Sequence, residues 1–305
     1  MKIIITDKLA KEGVERLKKA GFEVTEDFET KGAALAAKIG AYDALIVRSG
    51  TQVTAEVING ASKMKVIGRA GAGLDNIDVK AAEAKKIKVI NSPEGNTISA
   101  AEHTIAVMMA LCRNIPKAHM SLLEKKWDRD KFKGAEVCGK TLGVIGLGKI
   151  GFEVAKRMKA FDMKILAFDP YAKPEVYAAV GAKKVDLDTL FKESDFITVH
   201  VPKSPETAKM LNSQAFEKMK QGVRVVNVAR GRIIDEKALY DALKSGKVAG
   251  AAIDVYEKEP PENWDLIGLD NVVHTPHLGA STVEAQNRCG VQIADKVIAE
   301  LKGKK

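Results

Sequence analysis

Cysteine is scarce in this 305-residue chain: Cys112, Cys138 and Cys289 are the only three, widely spaced and without a C-x-x-C pair. That argues against a disulfide framework or a cysteine zinc site, so no metal is expected, and structural thiols in a reducing cytoplasm fit the pattern. Aromatic residues make up only 5% of the sequence. No apolar run approaches the roughly 20 residues of a membrane span. The apolar opening, Ile3-Ile4-Ile5, is too short for a signal peptide and reads as a first strand. The formal charge of +9 comes mostly from scattered lysines such as Lys18-Lys19, Lys85-Lys86 and Lys125-Lys126. No basic run reaches about five residues and no aromatics interleave with it, so neither nucleic acid nor membrane is an expected partner. Solvated helix faces account for most of the charge, and a positive field is compatible with a small anionic substrate.

What is present is alternation. Short apolar runs at Lys2–Thr6, Phe22–Thr25, Ala44–Arg48, Lys65–Gly68 and Lys88–Ile90 read as strands. Amphipathic stretches separate them, such as residues 9–17 with apolar positions 9, 10, 14 and 17. Strands alternating with helices predict an α/β fold with a doubly wound parallel sheet. A long helical pattern from Ser99 to about Glu124, rich in Ala, Met and Leu, follows. It is too apolar for a surface crossover and is expected to bury against a partner domain or subunit. A second series then predicts strands at Thr141–Gly146, Lys164–Phe168, Phe196–Val201, Val223–Val228, Gly250–Asp254 and Val272–His274, and a last helix from about Ser281 to Leu301. Two α/β units joined by one long helix are the expected organisation.

Gly146-Leu147-Gly148-Lys149-Ile150-Gly151 is a G-x-G-x-x-G. The spacing alone is a weak signal, but a buried-strand pattern precedes it and a helical pattern follows. In that setting the first glycine permits a tight turn and the second lets backbone approach a pyrophosphate. The third lets the helix pack close to the strand, and the helix N-terminus turns its N–H groups to the anion. Asp169 ends the next strand, 18 residues beyond Gly151. A carboxylate there accepts hydrogen bonds from ribose hydroxyls and repels a 2′-phosphate, and no Arg follows among Tyr171, Ala172 and Lys173, so NAD is the expected cofactor.

Hydride transfer also needs a group to hold a carboxylate or carbonyl and a group to move a proton. The C-terminal ends of later strands are where such a sheet supplies them. Arg230 follows one predicted strand, Glu257 and Glu259 follow another, and His277 lies in a Gly/Pro-framed loop after a third. Each has a bland alternative: a solvated turn arginine, loop-surface carboxylates, a structural histidine. Of the other histidines, His103 and His119 fall in the long helical pattern and His200 and His274 in strands.

Several blocks taken in order resemble the D-isomer-specific 2-hydroxyacid dehydrogenases: residues 71–78, the glycine loop, residues 226–231, residues 254–260 and residues 276–286. The resemblance covers nearly the whole chain and is strongest to the branch acting on D-3-phosphoglycerate. It implies a Rossmann NAD-binding domain over residues 97–284 and a smaller flavodoxin-like substrate domain from residues 1–96 and 285–305. It also implies a homodimer, oxidation of a 2-hydroxy acid in serine biosynthesis, and three catalytic roles. Arg230 would bind the substrate carboxylate, His277 would move the hydroxyl proton, and Glu259, directly before Pro260, would orient His277. By the same matching, Lys149 and Ile150 sit at the pyrophosphate turn, while Val201, Val228, Ala229 and Asp254 surround the adenine and nicotinamide. Gly279 and Ala280 close the site with His277. Arg48 and Ser49 match substrate-facing positions, Gly71-Ala72-Gly73 brings backbone amides to the substrate, and Arg69 and Arg129 match further positive positions near a phosphate. Many relatives continue into a serine-binding regulatory domain; with Lys305 as the last residue, feedback through such a domain is not expected. Two other readings compete: a glyoxylate, hydroxypyruvate or general 2-ketoacid reductase, and, remotely, a dinucleotide-sensing corepressor-like protein.

Overall fold

The computed structural model describes residues 1–262 and 264–303. They form two compact units, Met1–Thr97 with the segment from Ala280 onward, and Ile98–Gly279. The expected returning segment began at 285, and its last two residues, Lys304 and Lys305, lie outside the described residues.

The first unit runs β1 (Lys2–Ile5), α1 (Lys11–Lys19), β2 (Glu23–Glu26), α2 (Gly32–Lys38), β3 (Ala44–Val47), α3 (Ala55–Gly60), β4 (Val66–Arg69), α4 (Val79–Ala84) and β5 (Lys88–Asn91). Its sheet has the order β2-β1-β3-β4-β5 with every pair parallel. A parallel sheet covered on both faces demands continuous apolar runs in its central strands. Ile3-Ile4-Ile5 and Ala44–Val47 supply them and are buried throughout, whereas edge strand β2 carries charge at both ends. The order is the flavodoxin-like one, reversing between β1 and β3.

The second unit starts with α5 (Thr97–Cys112) and α6 (Ile115–Leu123). It continues with β6 (Thr141–Ile145), α7 (Lys149–Lys159), β7 (Lys164–Phe168), α8 (Pro174–Ala179), β8 (Ala182–Lys184), α9 (Leu187–Glu193) and β9 (Phe196–Val199). Then come α10 (Ser213–Lys218), β10 (Val223–Asn227), α11 (Glu236–Lys244), β11 (Val248–Ile253) and β12 (Val272–His274). The seven-stranded sheet is ordered β12-β11-β10-β9-β6-β7-β8 and parallel throughout. It is the Rossmann order extended by one strand, with its switch point between β6 and β9. Finally, α12 (Val283–Lys302) packs on α1 in the first unit. Ile293, Ala294 and Val297 join Ile3, Val14 and Leu17 in one core, and Arg16 meets Asp295 at 2.9 Å on its rim.

Three expectations change. The single long helix is two: Asn114 adopts the left-handed conformation (φ 52°) and Pro116 opens α6. Proline has no N–H for a helix interior, and asparagine tolerates the left-handed turn, so the chain breaks there. Helix α5 buries Ala101, Val107, Met108, Leu111 and Cys112 in the core of the second unit itself, while α6 leaves Ile115, Met120, Leu122 and Leu123 exposed. Strand β8 was not anticipated; Ala182-Lys183-Lys184 is a three-residue, lysine-rich edge with no legible period. Strands β9 and β10 stop early, leaving Val201 and Val228 in the loops beyond them. Among the described residues no helix is long and apolar enough to cross a membrane.

Candidate functional site

The glycine loop joins β6 to α7 at the switch point. Gly146 has φ 92°, a region that favours glycine, and a Cβ there would lie 2.8 Å from the His200 carbonyl. A Cβ on Gly151 would lie 2.0 Å from the Gly146 carbonyl oxygen, so helix and turn could not approach as they do. At Gly148 a Cβ would meet nothing within 4 Å. The space over Gly148 is therefore open to a ligand. Gly148 also caps α7 without a side-chain hydrogen bond, which leaves the first-turn N–H groups of an eleven-residue helix for an anion. Lys149 and Ile150 are the first two residues of that helix.

Asp169 follows β7. Its Oδ2 accepts the Leu147 N–H of the glycine loop at 2.8 Å, and its Oδ1 accepts those of Tyr171 and Ala172 at 2.8 and 3.1 Å. Tyr177 Oη, which donates to the Asp169 carbonyl at 2.7 Å, fixes the backbone here. A carboxylate oxygen accepts about two hydrogen bonds. Oδ1 is filled and Oδ2 keeps a lone pair for a hydroxyl. Together, the open glycine cradle, the uncapped helix start and this acceptor fit a dinucleotide.

Arg230 follows β10. Its carbonyl accepts Asn227 Nδ2 at 2.9 Å, its Nη1 donates to the Ala229 carbonyl at 2.7 Å, and Asn227 Oδ1 accepts the Ala229 N–H at 3.0 Å. Asn227 therefore ties the whole turn. Next in sequence, Gly231 lies against the loop after β11; a Cβ would stand 1.7 Å from the Tyr256 carbonyl oxygen.

That loop separates the two glutamates. Glu257 turns towards α11, accepting the Glu236 N–H at 3.3 Å while its own N–H donates to Glu236 at 2.6 Å. Glu259 Oε2 instead lies 2.7 Å from His277 Nδ1, and its Oε1 accepts the Tyr256 N–H at 3.2 Å. Burial pushes the Glu259 carboxyl up, but the hydrogen bond and charge of His277 and the Tyr256 N–H outweigh it and hold it below the ordinary range. His277 adopts φ 55°, a left-handed backbone that side-chain-bearing residues rarely take.

Asp254, at the end of β11, was expected beside the cofactor. Its side chain is fully buried and both oxygens are engaged by the loop that carries His277. Oδ1 accepts Thr275 Oγ1 at 2.6 Å and the Leu278 N–H at 2.7 Å, and Oδ2 accepts the Gly279 N–H at 2.9 Å. The Asp254 carbonyl accepts the His277 N–H at 2.9 Å. Burial again pushes this carboxyl up, yet the bonds from His103, Thr275, Leu278 and Gly279 keep it below the ordinary range. Tyr256 is pushed up to about 12 by burial and the carboxylates of Asp254, Glu236 and Glu259, so it remains a neutral donor to the Thr275 carbonyl at 3.1 Å.

The remaining expected residues are distributed as follows. Val228 and Ala229 are buried before Arg230, Val201 is half-buried beyond β9, and Gly279 is held by Asp254. Ala280 begins the returning segment of the first unit. In that unit, Arg48 and Ser49 follow β3 and Gly71-Ala72-Gly73 follows β4. Asp7 Oδ2 accepts the N–H groups of Arg48 and Thr51 at 2.7 and 3.1 Å, and Asn76 Nδ2 donates to their carbonyls at 2.8 and 2.6 Å. Asn76 Oδ1 also accepts Arg69 Nε at 3.0 Å, so one asparagine positions both arginine-bearing turns. Arg129, in the second unit, is exposed in a short 3₁₀ turn. Sequence reasoning missed Asp7, Asn76, Asn227 and His103. Only Asn76 and Asn227 carried a signal, since both fall inside motif blocks.

Residues 105–279 match the family model described as D-isomer specific 2-hydroxyacid dehydrogenase, NAD binding domain. The chain is 52% identical over 304 residues to a D-3-phosphoglycerate dehydrogenase of Archaeoglobus fulgidus, covering 99% of this chain and 58% of that protein. It thus spans little more than half the length of that relative. Among solved structures it is similar to apo D-lactate dehydrogenase from Escherichia coli, with TM-score 0.88 and 31% identity over 100% of this chain and 98% of that one. A glyoxylate reductase from Paecilomyes thermophila gives TM-score 0.90 and 30% identity, over 100% and 96% of the two chains.

Proposed function

The chain belongs to the family of D-isomer specific 2-hydroxyacid dehydrogenases, and from that premise we propose that it oxidises D-3-phosphoglycerate to 3-phosphohydroxypyruvate, the first step of serine biosynthesis. The observation that carries the reading is the 2.7 Å contact between His277 Nδ1 and Glu259. With Nδ1 held there, Nε2 is the nitrogen left to receive the substrate hydroxyl proton. An ionised Glu259 stabilises the imidazolium that results, and reduction returns the proton by the same route. NAD, when bound, supplies the acceptor for the hydride that leaves C2. Arg230 holds the substrate carboxylate with its planar pair of donors. Gly148, the start of α7 and Asp169 hold the dinucleotide, with Val201, Val228, Ala229, Gly279 and Ala280 assigned to its remaining surfaces.

In the first unit the reading assigns Arg48, Ser49 and the Gly71-Ala72-Gly73 turn to the substrate, with Arg48 and Arg69 charged to receive a phosphate. Support for the phosphorylated substrate comes from the 52% identity to the Archaeoglobus fulgidus enzyme. The exposed Ile115, Met120, Leu122, Leu123 and Trp127 around α6 support a homodimer. Three free thiols, one of them exposed, suit a cytoplasmic enzyme.

NADH formation across 3-phosphoglycerate, glycerate, lactate and glycolate tests the reading. The phosphorylated acid should give the highest kcat/KM, with NAD strongly preferred over NADP and that preference narrowed in Asp169→Ala. A wild type indifferent to phosphate, or most active in reducing glyoxylate, overturns it in favour of a general 2-ketoacid reductase.

A further inference from the structure

His103 is a half-buried polar side chain beside the His277 loop to which the proposed chemistry gives no part. It lies on α5, whose neighbouring Ala101, Thr104 and Met108 are fully buried, so the helix is a rigid platform. His103 Nε2 stands 3.1 Å from Thr275 Oγ1 and 3.3 Å from Asp254 Oδ1, with its own side chain 19% exposed. The proton positions follow from the acceptors. Thr275 Oγ1 donates to Asp254 at 2.6 Å, leaving its oxygen to accept. Asp254 has no proton to give. His103 Nε2 must therefore carry the hydrogen, shared between the hydroxyl and the carboxylate. One turn earlier on the same helix face, Ser99 Oγ donates to the Gly279 carbonyl at 2.9 Å. The loop from Thr275 to Gly279 is gripped at both ends by α5, and Asp254 pins its middle.

We propose that His103 is a positioning residue for His277, acting through the Thr275 hydroxyl and the Asp254 carboxylate to fix the left-handed loop that aims the imidazole. This rests on His277 being the proton carrier. His277 sits at φ 55°, which costs a side-chain-bearing residue energy unless its surroundings hold it. The donors around Asp254 are what hold it. Removing one leaves a fully buried charge with fewer partners and loosens the amides of Leu278 and Gly279.

The test compares wild type with His103→Leu, which removes the donor, His103→Gln, which keeps one, and Thr275→Val, which removes the bridging hydroxyl from the other side. For 3-phosphoglycerate oxidation, His103→Leu and Thr275→Val should each lower kcat by roughly 10- to 100-fold, the scale of a reacting group displaced by about an ångström, with little change in KM. Amide exchange at residues 277–279 should accelerate in both while the rest of the sheet keeps its protection, and His103→Gln should recover most of both effects. Wild-type kcat and exchange in His103→Leu overturn the proposal. So does an equal loss in His103→Gln accompanied by a general fall in Tm, which marks a packing role. If the wild type turns over no 2-hydroxy acid, the functional reading fails. The exchange measurement then still decides whether His103 holds the loop.

Discussion

Asp7 in the first unit and Asp254 in the second solve the same problem with different partners. Each follows a parallel strand, each is nearly or fully buried, and each accepts backbone amides from a loop bearing candidate site residues. Asp7 is paired with a lysine, Lys31, at 2.9 Å. Burial pushes its carboxyl up, but Lys31, the Arg48 N–H and Thr51 outweigh it. Asp254 has only hydroxyl and amide donors and His103, which is charged only when protonated. The contrast extends to composition: all five histidines lie between residues 98 and 279, and the first unit has none. One unit pairs its buried carboxylate with a lysine, and the other surrounds its buried carboxylate with neutral donors and a histidine.

The sharpest way to break that contrast is to remove His277, the proposed proton carrier. His277→Ala should lower kcat by roughly 10²- to 10⁴-fold, the ordinary contribution of a general base. The loss should be alike for phosphorylated and unphosphorylated acids, because the hydroxyl proton is common to both. A loss confined to the phosphorylated acid would move His277 out of the chemistry and into substrate selection.

The complementary change in the first unit is smaller and selective. Arg48→Ala should cost ~1.5–3 kcal/mol, or roughly 10- to 150-fold in kcat/KM, for 3-phosphoglycerate relative to glycerate, the value of a charged hydrogen bond. Equal losses on both acids would take Arg48 away from the phosphate and erase the division of labour.

The same contrast governs what could be read from the sequence. Strand positions were legible because inner strands of a covered parallel sheet are uninterrupted apolar runs, and Lys164–Phe168 falls where that run placed it, as does the short edge strand Val272–His274. The break at Asn114 was missed although Pro116 announced it, because the apolar pattern continued across it. Arg230, Glu259 and His277 were legible as residues that follow strands, and resemblance singled out Glu259 from Glu257. Geometry gives the physical distinction, with Glu257 drawn to α11 and Glu259 to His277. The supporting shell was not legible. Asp7 reaches Arg48 across 41 residues of sequence and His103 reaches Thr275 across 172, and no local pattern encodes such contacts.

The subtlest test uses mild acid. Burial pulls His200 from its ordinary 6.5 down to about 3, and burial also lowers His274. Below pH 6.5 the unfolded chain binds protons at these two positions more readily than the folded second unit does. Stability is therefore fully present above about pH 6.5 and falls as pH drops towards the folded values. Each such histidine contributes a slope of up to ~1.4 kcal/mol per pH unit. Between pH 6.5 and 5 the depressed carboxyls of Asp7, Asp254 and Glu259 stay ionised and add little. Hydrogen exchange followed unit by unit should show the second unit losing protection over that range while the first, without a histidine, holds. His200→Gln keeps a partner for Thr198, which now contacts the ring at 2.9 Å, and should flatten the second unit's slope. An equal loss in both units would show that the acid response is not confined to the second unit, and an unchanged slope in His200→Gln would show that His200 is not its source.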